Sequence, residues 1–318
     1  CHQPSAIGHR LSTMTAYILQ RLLYNVFVLL GISAVVFGLT FLTGDPASTL
    51  LPLNTPREDI DLFRHQMGYD RPLPIQYLDF LSKAVQGDFG MSLRHRQPAL
   101  PIVLERLPAT LRLALVGIFI SLIISVPLGL LAGTHKGTWI DSVTRIVVLL
   151  GQVVPGFWLA IVLILIFGVN LRWLPVSGSD GWESLILPGF VVATFSVASI
   201  ARLLRSSLLE VLSKDYIRTA HAKGLSERQV LLRHALKNAA IPVVTVMALQ
   251  VGNLLGGAVI AEVFFAYPGM GRLAVQAITN RDVAVVQAFV TLSGTMIVTT
   301  NLLLDIVYTW LDPRIRFA

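Results

Sequence analysis

Six long apolar runs punctuate this chain: Leu22–Thr43, Leu113–Thr134, Ile146–Leu171, Ser184–Ala201, Asn238–Ala261 and Val283–Leu304. None contains Asp, Glu, Lys or Arg. A helix rising 1.5 Å per residue needs about 20 residues to cross a hydrocarbon core of about 30 Å. Each run is long enough, although Ser184–Ala201 must borrow from its flanks. The pattern predicts an all-α, polytopic membrane protein with six transmembrane helices. The first run, within 14–43, resembles a signal peptide in character. Its length and lack of a small-residue cleavage pattern predict an uncleaved anchor instead. Residues 1–13, ahead of Met14, are expected to be an extension without structural weight.

The polar segments carry their own helix signals. The longest, 44–112, is expected to be a helical extracytoplasmic loop. Thr55-Pro56-Arg57-Glu58 has the form of a capping box with Pro at the first helical position, and Gly68 is placed to end that helix. A second helix is predicted through Gln76–Leu81, stopping near Gly87. His135–Asp141 forms a short inner turn, and Arg172–Glu183 an outer one with Trp173 and Trp182 suited to the interfacial belt. Pro127, Pro155, Pro188 and Pro242 fall in or beside spans and read mostly as packing kinks. The remaining residues, 113–318, form a five-helix core interrupted by the polar segment 202–237.

That segment is the most informative part of the chain. From Arg202 to Lys237 it holds eight Lys/Arg and three Asp/Glu. Placing those charges in hydrocarbon at roughly 2.5 kcal/mol each would cost on the order of 25–30 kcal/mol, so the segment lies outside the bilayer. It is also patterned. Asp215–Lys223 can be helical, and Gly224 suits the left-handed residue that ends a helix. Ser226 with Gln229 forms a second capping box, and Leu225, Leu232 and Leu236 lie near one helical face. Two short helices meeting at a sharp corner are predicted, rather than a loop that orients the protein by charge alone.

Composition agrees. Only 14% of residues are charged and mean hydropathy is +0.70, against about 25% charged in soluble domains. The net charge of +7 reports orientation, not nucleic acid. With the N-terminus inside, one face carries 14 bases against six acids and the other 11 against 12. That bias puts both termini and the 202–237 segment in the cytoplasm. The single cysteine, Cys1, cannot form an internal disulfide or a thiolate metal site.

The run Asp215–Thr245, DYIRTAHAKGLSERQVLLRHALKNAAIPVVT, resembles the cytoplasmic coupling motif of ABC-importer permeases of the peptide/nickel branch, first-permease type. Further matches are the opening YILQRLL, Gly44-Asp45-Pro46, Gly87-Asp88-Phe89-Gly90, Pro108-Ala109-Thr110-Leu111, Ala201-Arg202, EVFFAYPGMG at Glu262–Gly271, and Leu311-Asp312-Pro313-Arg314-Ile315-Arg316. The general Glu-Ala-Ala…Gly coupling consensus is met only at Ala220 and Gly224, since Arg218 and Thr219 fill its first positions, a departure usual for this branch.

The resemblance implies a bacterial inner-membrane permease that pairs with a second homologous permease subunit. Two ABC ATPase subunits and an extracytoplasmic solute-binding protein complete the machine. ATP and Mg would be bound by the ATPases, with no cofactor, metal or catalytic residue in this chain; no GxxxxGK[ST] phosphate loop occurs. The segment implied to engage an ATPase comprises Asp215, Tyr216, Arg218, Thr219, Ala220, Lys223, Gly224, Leu225, Ser226, Arg228, Leu232 and Leu236. Leu225, Leu232 and Leu236 would make apolar contact, and Arg218, Lys223 and Arg228 polar contact or plain solvation.

Short peptides are the expected cargo, with nickel or another metal chelate, glutathione or an opine as alternatives. A secondary transporter would need mid-membrane ionisable groups, which the spans lack. An intramembrane hydrolase would need a base there, and all seven His lie outside the runs. A receptor or scaffold would have the same hydropathy, and absence of ATPase partners in a gentle detergent pull-down would favour it.

Overall fold

The computed structural model describes residues 6–42, 51, 55–92 and 94–311. Gly44-Asp45-Pro46 and the stretch Asp312–Arg316 lie outside them. Among the described residues the protein is helical, with one isolated antiparallel bridge between Met91 and Pro98. Five helices among the described residues are long and apolar enough to span a membrane, and a sharply bent pair brings the number to six if it counts as one span. Two units are described in turn, 1–106 with 273–318, and 107–272.

The first unit is built on α1 (Ala6–Leu42), which packs against α12 (Val283–Leu311). Helix α1 begins at Ala6, so residues 6–13 are helical. In the loop after α1, α2 (Arg57–Met67) takes Pro56, not Thr55, at its N-cap position. The Pro56 carbonyl accepts the first turn's bond from Ile60 N–H at 3.1 Å, and no side-chain hydrogen bond caps the helix at that position, so the predicted capping box does not form there. Gly68 ends α2 in the left-handed conformation, φ 73°. Helix α3 (Leu73–Val85) docks on α1 through Tyr77, whose hydroxyl lies 2.8 Å from Ser33 Oγ and donates to the Leu30 carbonyl at 3.0 Å. Phe37, Tyr77, Phe80 and Phe89 continue that contact as a chain of ring pairs. At the start of α12, buried Asp282 accepts a hydrogen bond from Ser92 Oγ.

Helix α4 (Ala99–Thr134) begins well before the expected edge of its span and carries Pro108 and Pro127 in its interior. Pro155 behaves differently. It separates α5 (Trp139–Val153) from α6 (Gly156–Leu163), which continues as a π-helical turn, Ile164–Asn170. Val154 and Pro155 are both extended, with ψ of 122° and 133°, and the arms bend by 100°. The predicted straight third span is therefore a broken one, far beyond a packing kink.

The second unit is organised around α7 (Ile186–Leu212), its most buried span. Leu187, Val191 and Val192 join Leu113, Ala261 and Phe265 in one core cluster, and Ile200, Leu204 and Leu208 enter a second. Helix α4 approaches α7 closely at glycine. A Cβ on Gly129 would stand 2.9 Å from Leu204 Cβ and 3.0 Å from the Ala201 carbonyl. Small residues at such crossings let membrane helices reach van der Waals contact without a hydrophobic driving force.

Candidate functional site: a polar platform between two spans

Helix α7 ends at Leu212 and the chain turns through Ser213 and Lys214 into α8 (Asp215–Ala222). Glu210 accepts a hydrogen bond from Lys214 Nζ at 2.9 Å, which holds that ammonium above its usual pKa. Ile217 and Ala220 point inward and are buried, whereas Asp215, Arg218 and Thr219 face outward. The exposed Arg218 and Asp215 approach to 3.4 Å, a surface pair of little energetic weight.

The corner is built by local chemistry. Gly224 has φ 79° and donates to the His221 carbonyl at 2.9 Å, while Leu225 N–H reaches back to the Ala220 carbonyl at 3.4 Å. A Cβ there would meet nothing within 4 Å, so the demand for glycine is one of backbone sign alone. Ser226 then caps α9 (Glu227–Gln229), its N–H donating to Gln229 Oε1 at 3.1 Å in the expected capping box.

Beyond α9 the structure departs from the predicted pair of short helices. The backbone runs from α9 through a π-helical turn, Val230–Ala235, directly into α10 (Leu236–Phe264). The second platform helix is thus the near end of the fifth span.

Ile217, Ala220, Val230 and Ala235 share one buried cluster with Leu204 and Leu208 of α7 and Ala239 and Val243 of α10. Full burial of an Ile or Val side chain is worth roughly 1.5–3 kcal/mol, so these anchors hold the corner as one body with both spans. Leu225 and Leu236 pack against this cluster. Both are only partly buried, whereas Leu232, at 44% exposure, and Tyr216 are exposed. The Tyr216 hydroxyl accepts from Asn238 Nδ2 at 3.1 Å, tying α8 to α10. Lys223 and Arg228 are exposed and have no ion-pair partner among the described residues. Sequence reasoning missed Ile217 and Val230 as the anchors, although both are apolar positions inside a charged segment.

Two further polar clusters belong to the same unit. Arg205 of α7 makes a two-pronged bond to buried Asp141 of α5, Nε–Oδ1 2.9 Å and Nη2–Oδ2 2.8 Å, and Arg145 stands 3.3 Å from the same carboxylate. Arg202 donates to Gln152 Oε1 at 2.7 Å.

At the other end of α10, fully buried Glu262 accepts from Thr110 Oγ1 at 2.6 Å and from Arg272 N–H at 3.0 Å. Thr110 Oγ1 in turn accepts from Met270 N–H at 2.8 Å. Pro108–Leu111 and Glu262–Gly271, remote in sequence, thus meet where the carboxylate receives the first N–H groups of α11 (Met270–Thr279).

Apolar spans with a structured, charged platform packed onto two of them are the framework of a multi-pass membrane protein. Residues 125–317 match the family described as binding-protein-dependent transport system inner membrane component, and residues 14–114 match its N-terminal region. The chain belongs to this family: it is a multi-pass inner-membrane permease subunit of an ABC importer, a class that works with further membrane subunits and ATPases.

Among its relatives is the oligopeptide transport system permease protein AppB of Bacillus subtilis strain 168. The two are 38% identical over 316 residues, 96% of this chain and 100% of the relative. The glutathione transport system permease protein GsiC of Escherichia coli K12 is 39% identical over 305 residues, again 96% and 100%. The inward-facing methionine ABC transporter MetNI shares the fold with a TM-score of 0.55 at 18% identity, over 66% of this chain and 96% of that one. An amino acid ABC transporter crystallised with histidines gives 0.51 at 15% identity, over 65% and 92%.

Proposed function

We propose that this chain forms half of the translocation path for short peptides, delivered by an extracytoplasmic solute-binding protein and driven by ATP hydrolysis on separate subunits. A second homologous permease supplies the other half, and two ABC ATPases hold ATP and Mg. The chain itself binds no cofactor and hydrolyses nothing. Both termini and the platform lie in the cytoplasm, as the charge bias requires.

The observation that carries this reading is the single buried cluster joining α8, the π-helical turn, α7 and α10. A groove on an ATPase that grips the exposed face of α8, with Arg218, Thr219 and Lys223, moves Ile217 and Val230 with it. Those anchors displace the ends of two spans. Coupling follows if the groove holds the platform differently in the nucleotide-bound and nucleotide-free states. Ala220, Leu225 and Leu236 serve as packing within the lever, Ser226 and Gly224 shape its corner, and Asp215, Arg228, Leu232 and Tyr216 remain on its surface.

The test is Gly224→Pro. Proline fixes φ near −65° and cannot adopt the observed 79°. ATP-driven uptake into membrane vesicles is expected to vanish while membrane insertion stays normal; unchanged uptake would refute the lever.

Cargo is tested separately, by native mass spectrometry of the cognate binding protein. Peptides are expected, and a metal chelate without peptide would overturn the assignment. Similarity to GsiC at 39% identity supports glutathione, itself a tripeptide, as the second reading.

A further inference from the structure

A groove of about 230 Å³ opens between α4, α5 and α7 in the second unit. Its walls are almost wholly apolar, formed by Leu128, Val148, Leu149 and Ala201, and its rim carries Arg145, Arg202 and Arg205. Arg205 is committed to Asp141 by two bonds, and Arg145, half-exposed, is held to the same carboxylate only at 3.3 Å. Arg202 bonds a neutral amide, Gln152, and has no carboxylate within 4.0 Å among the described residues. Two guanidinium groups, Arg145 and Arg205, thus share one carboxylate and Arg202 has only an amide, so the groove is lined by three positive charges against one negative, two in excess beside an apolar slot.

The groove's place along the helix narrows what can fill it. Arg205 lies seven residues before Leu212, the end of α7, or roughly 10 Å at 1.5 Å per residue. That is the level where long cationic side chains reach from hydrocarbon towards headgroups. The outer flank of the groove is Val143, Ile146, Val147 and Leu150 of α5, all exposed, the kind of surface that faces acyl chains. The volume is below the 300–1,000 Å³ of sites that enclose a small-molecule ligand, so only part of a larger amphiphile can enter.

We propose that this groove is a binding site for an anionic phospholipid of the leaflet bearing the platform. The phosphate sits on Arg145 and Arg202, and one acyl chain lies along Leu128, Val148 and Leu149. The charge excess selects an anionic headgroup over a zwitterionic one, and the apolar slot selects a lipid over free phosphate. A bound lipid would brace α5 against α7 just above the platform.

The test uses the complex that co-purifies with this chain in mild detergent. Dioleoyl phosphatidylglycerol and dioleoyl phosphatidylcholine are titrated and followed by native mass spectrometry. Wild type is expected to prefer phosphatidylglycerol. The double variant Arg145→Gln/Arg202→Gln should weaken phosphatidylglycerol about thirtyfold, or ~2 kcal/mol at 1.4 kcal/mol per decade, and leave phosphatidylcholine unchanged. Arg145→Lys/Arg202→Lys should retain most of the preference. Leu149→Trp, which fills the slot without altering charge, should weaken phosphatidylglycerol as well, guarding against misfolding of the charge variant. Equal affinity for the two lipids in wild type, or an unaltered preference in the Gln variant, would overturn the proposal. So would efficient cross-linking in native membranes of a cysteine at Leu149 to a second permease, which would assign the groove to protein.

Discussion

The closeness of α4 to α7 yields a test in which two chemically identical substitutions should act in opposite directions. In Gly129→Ala the new methyl carbon would lie 2.9 Å from Leu204 Cβ and 3.0 Å from a backbone carbonyl that cannot rotate away. Ordinary contact needs at least about 3.4 Å, so the helices must part by several tenths of an ångström. Overpacking of this kind costs about 1–3 kcal/mol, while replacing an interior helical glycine by alanine returns about 1 kcal/mol. The net expectation is a loss of up to about 2 kcal/mol. Gly151 of α5 has nothing within 4 Å of its would-be Cβ, so Gly151→Ala keeps only the gain. At roughly 2–4 °C per kcal/mol, the two variants should differ by several degrees in a thermal-shift assay at fixed scan rate. Gly129→Ala proving as stable as Gly151→Ala would show that the crossing is looser than described and that α7 is not packed from this side.

Glu262→Ala removes the acceptor that satisfies Thr110 Oγ1 and the Arg272 N–H in a fully buried setting. Leaving such groups unpaired costs about 1–3 kcal/mol each, so thermal stability should fall clearly in the same assay and be largely restored in Glu262→Gln. Between α2 and α3, His65 Nδ1 lies 2.5 Å from Asp70 Oδ2, and this hydrogen bond holds Asp70 below its ordinary value of 3.8. The group's folded-state pKa is depressed, so its contribution is present above 3.8 and lost as pH falls through the lowered value. Protection factors at the α2–α3 turn, referred to intrinsic exchange at each pH, should fall below about pH 4 and lose that acid response in His65→Ala; an unchanged acid response would remove the pair from the account.

Much of this architecture could be read from local chemistry. The charge-free runs place the spans, and Gly68, Gly87 and Gly224 stop helices because each position needs positive φ. What escaped depends on distant packing or on helix phase. Pro108, Pro127, Pro155 and Pro242 look alike in sequence, yet only Pro155 breaks its helix at a 100° bend, since neighbouring helices decide whether freed carbonyls are tolerated. The platform leucines were misassigned for a different reason. Buried positions run Val230, Ala235, Ala239, Val243, and the first interval of five marks the π-helical turn. The extra residue shifts the phase of the turn, so the buried face runs through Val230 and Ala235 and leaves Leu232 exposed. The meeting of Thr110 and Glu262, separated by 152 residues, has no local signal at all.

That meeting also constrains how the subunit can change shape. Bonds to an ionised or buried carboxylate contribute about 1.5–3 kcal/mol apiece, comparable to the 1–3 kcal/mol over which two sites in a protein typically communicate. Two rods riveted together at one end by such bonds do not slide there; they scissor. Displacement imposed on the near end of α10 is therefore expressed as splaying about the Thr110–Glu262 pin, widest at the platform end and vanishing toward the pin.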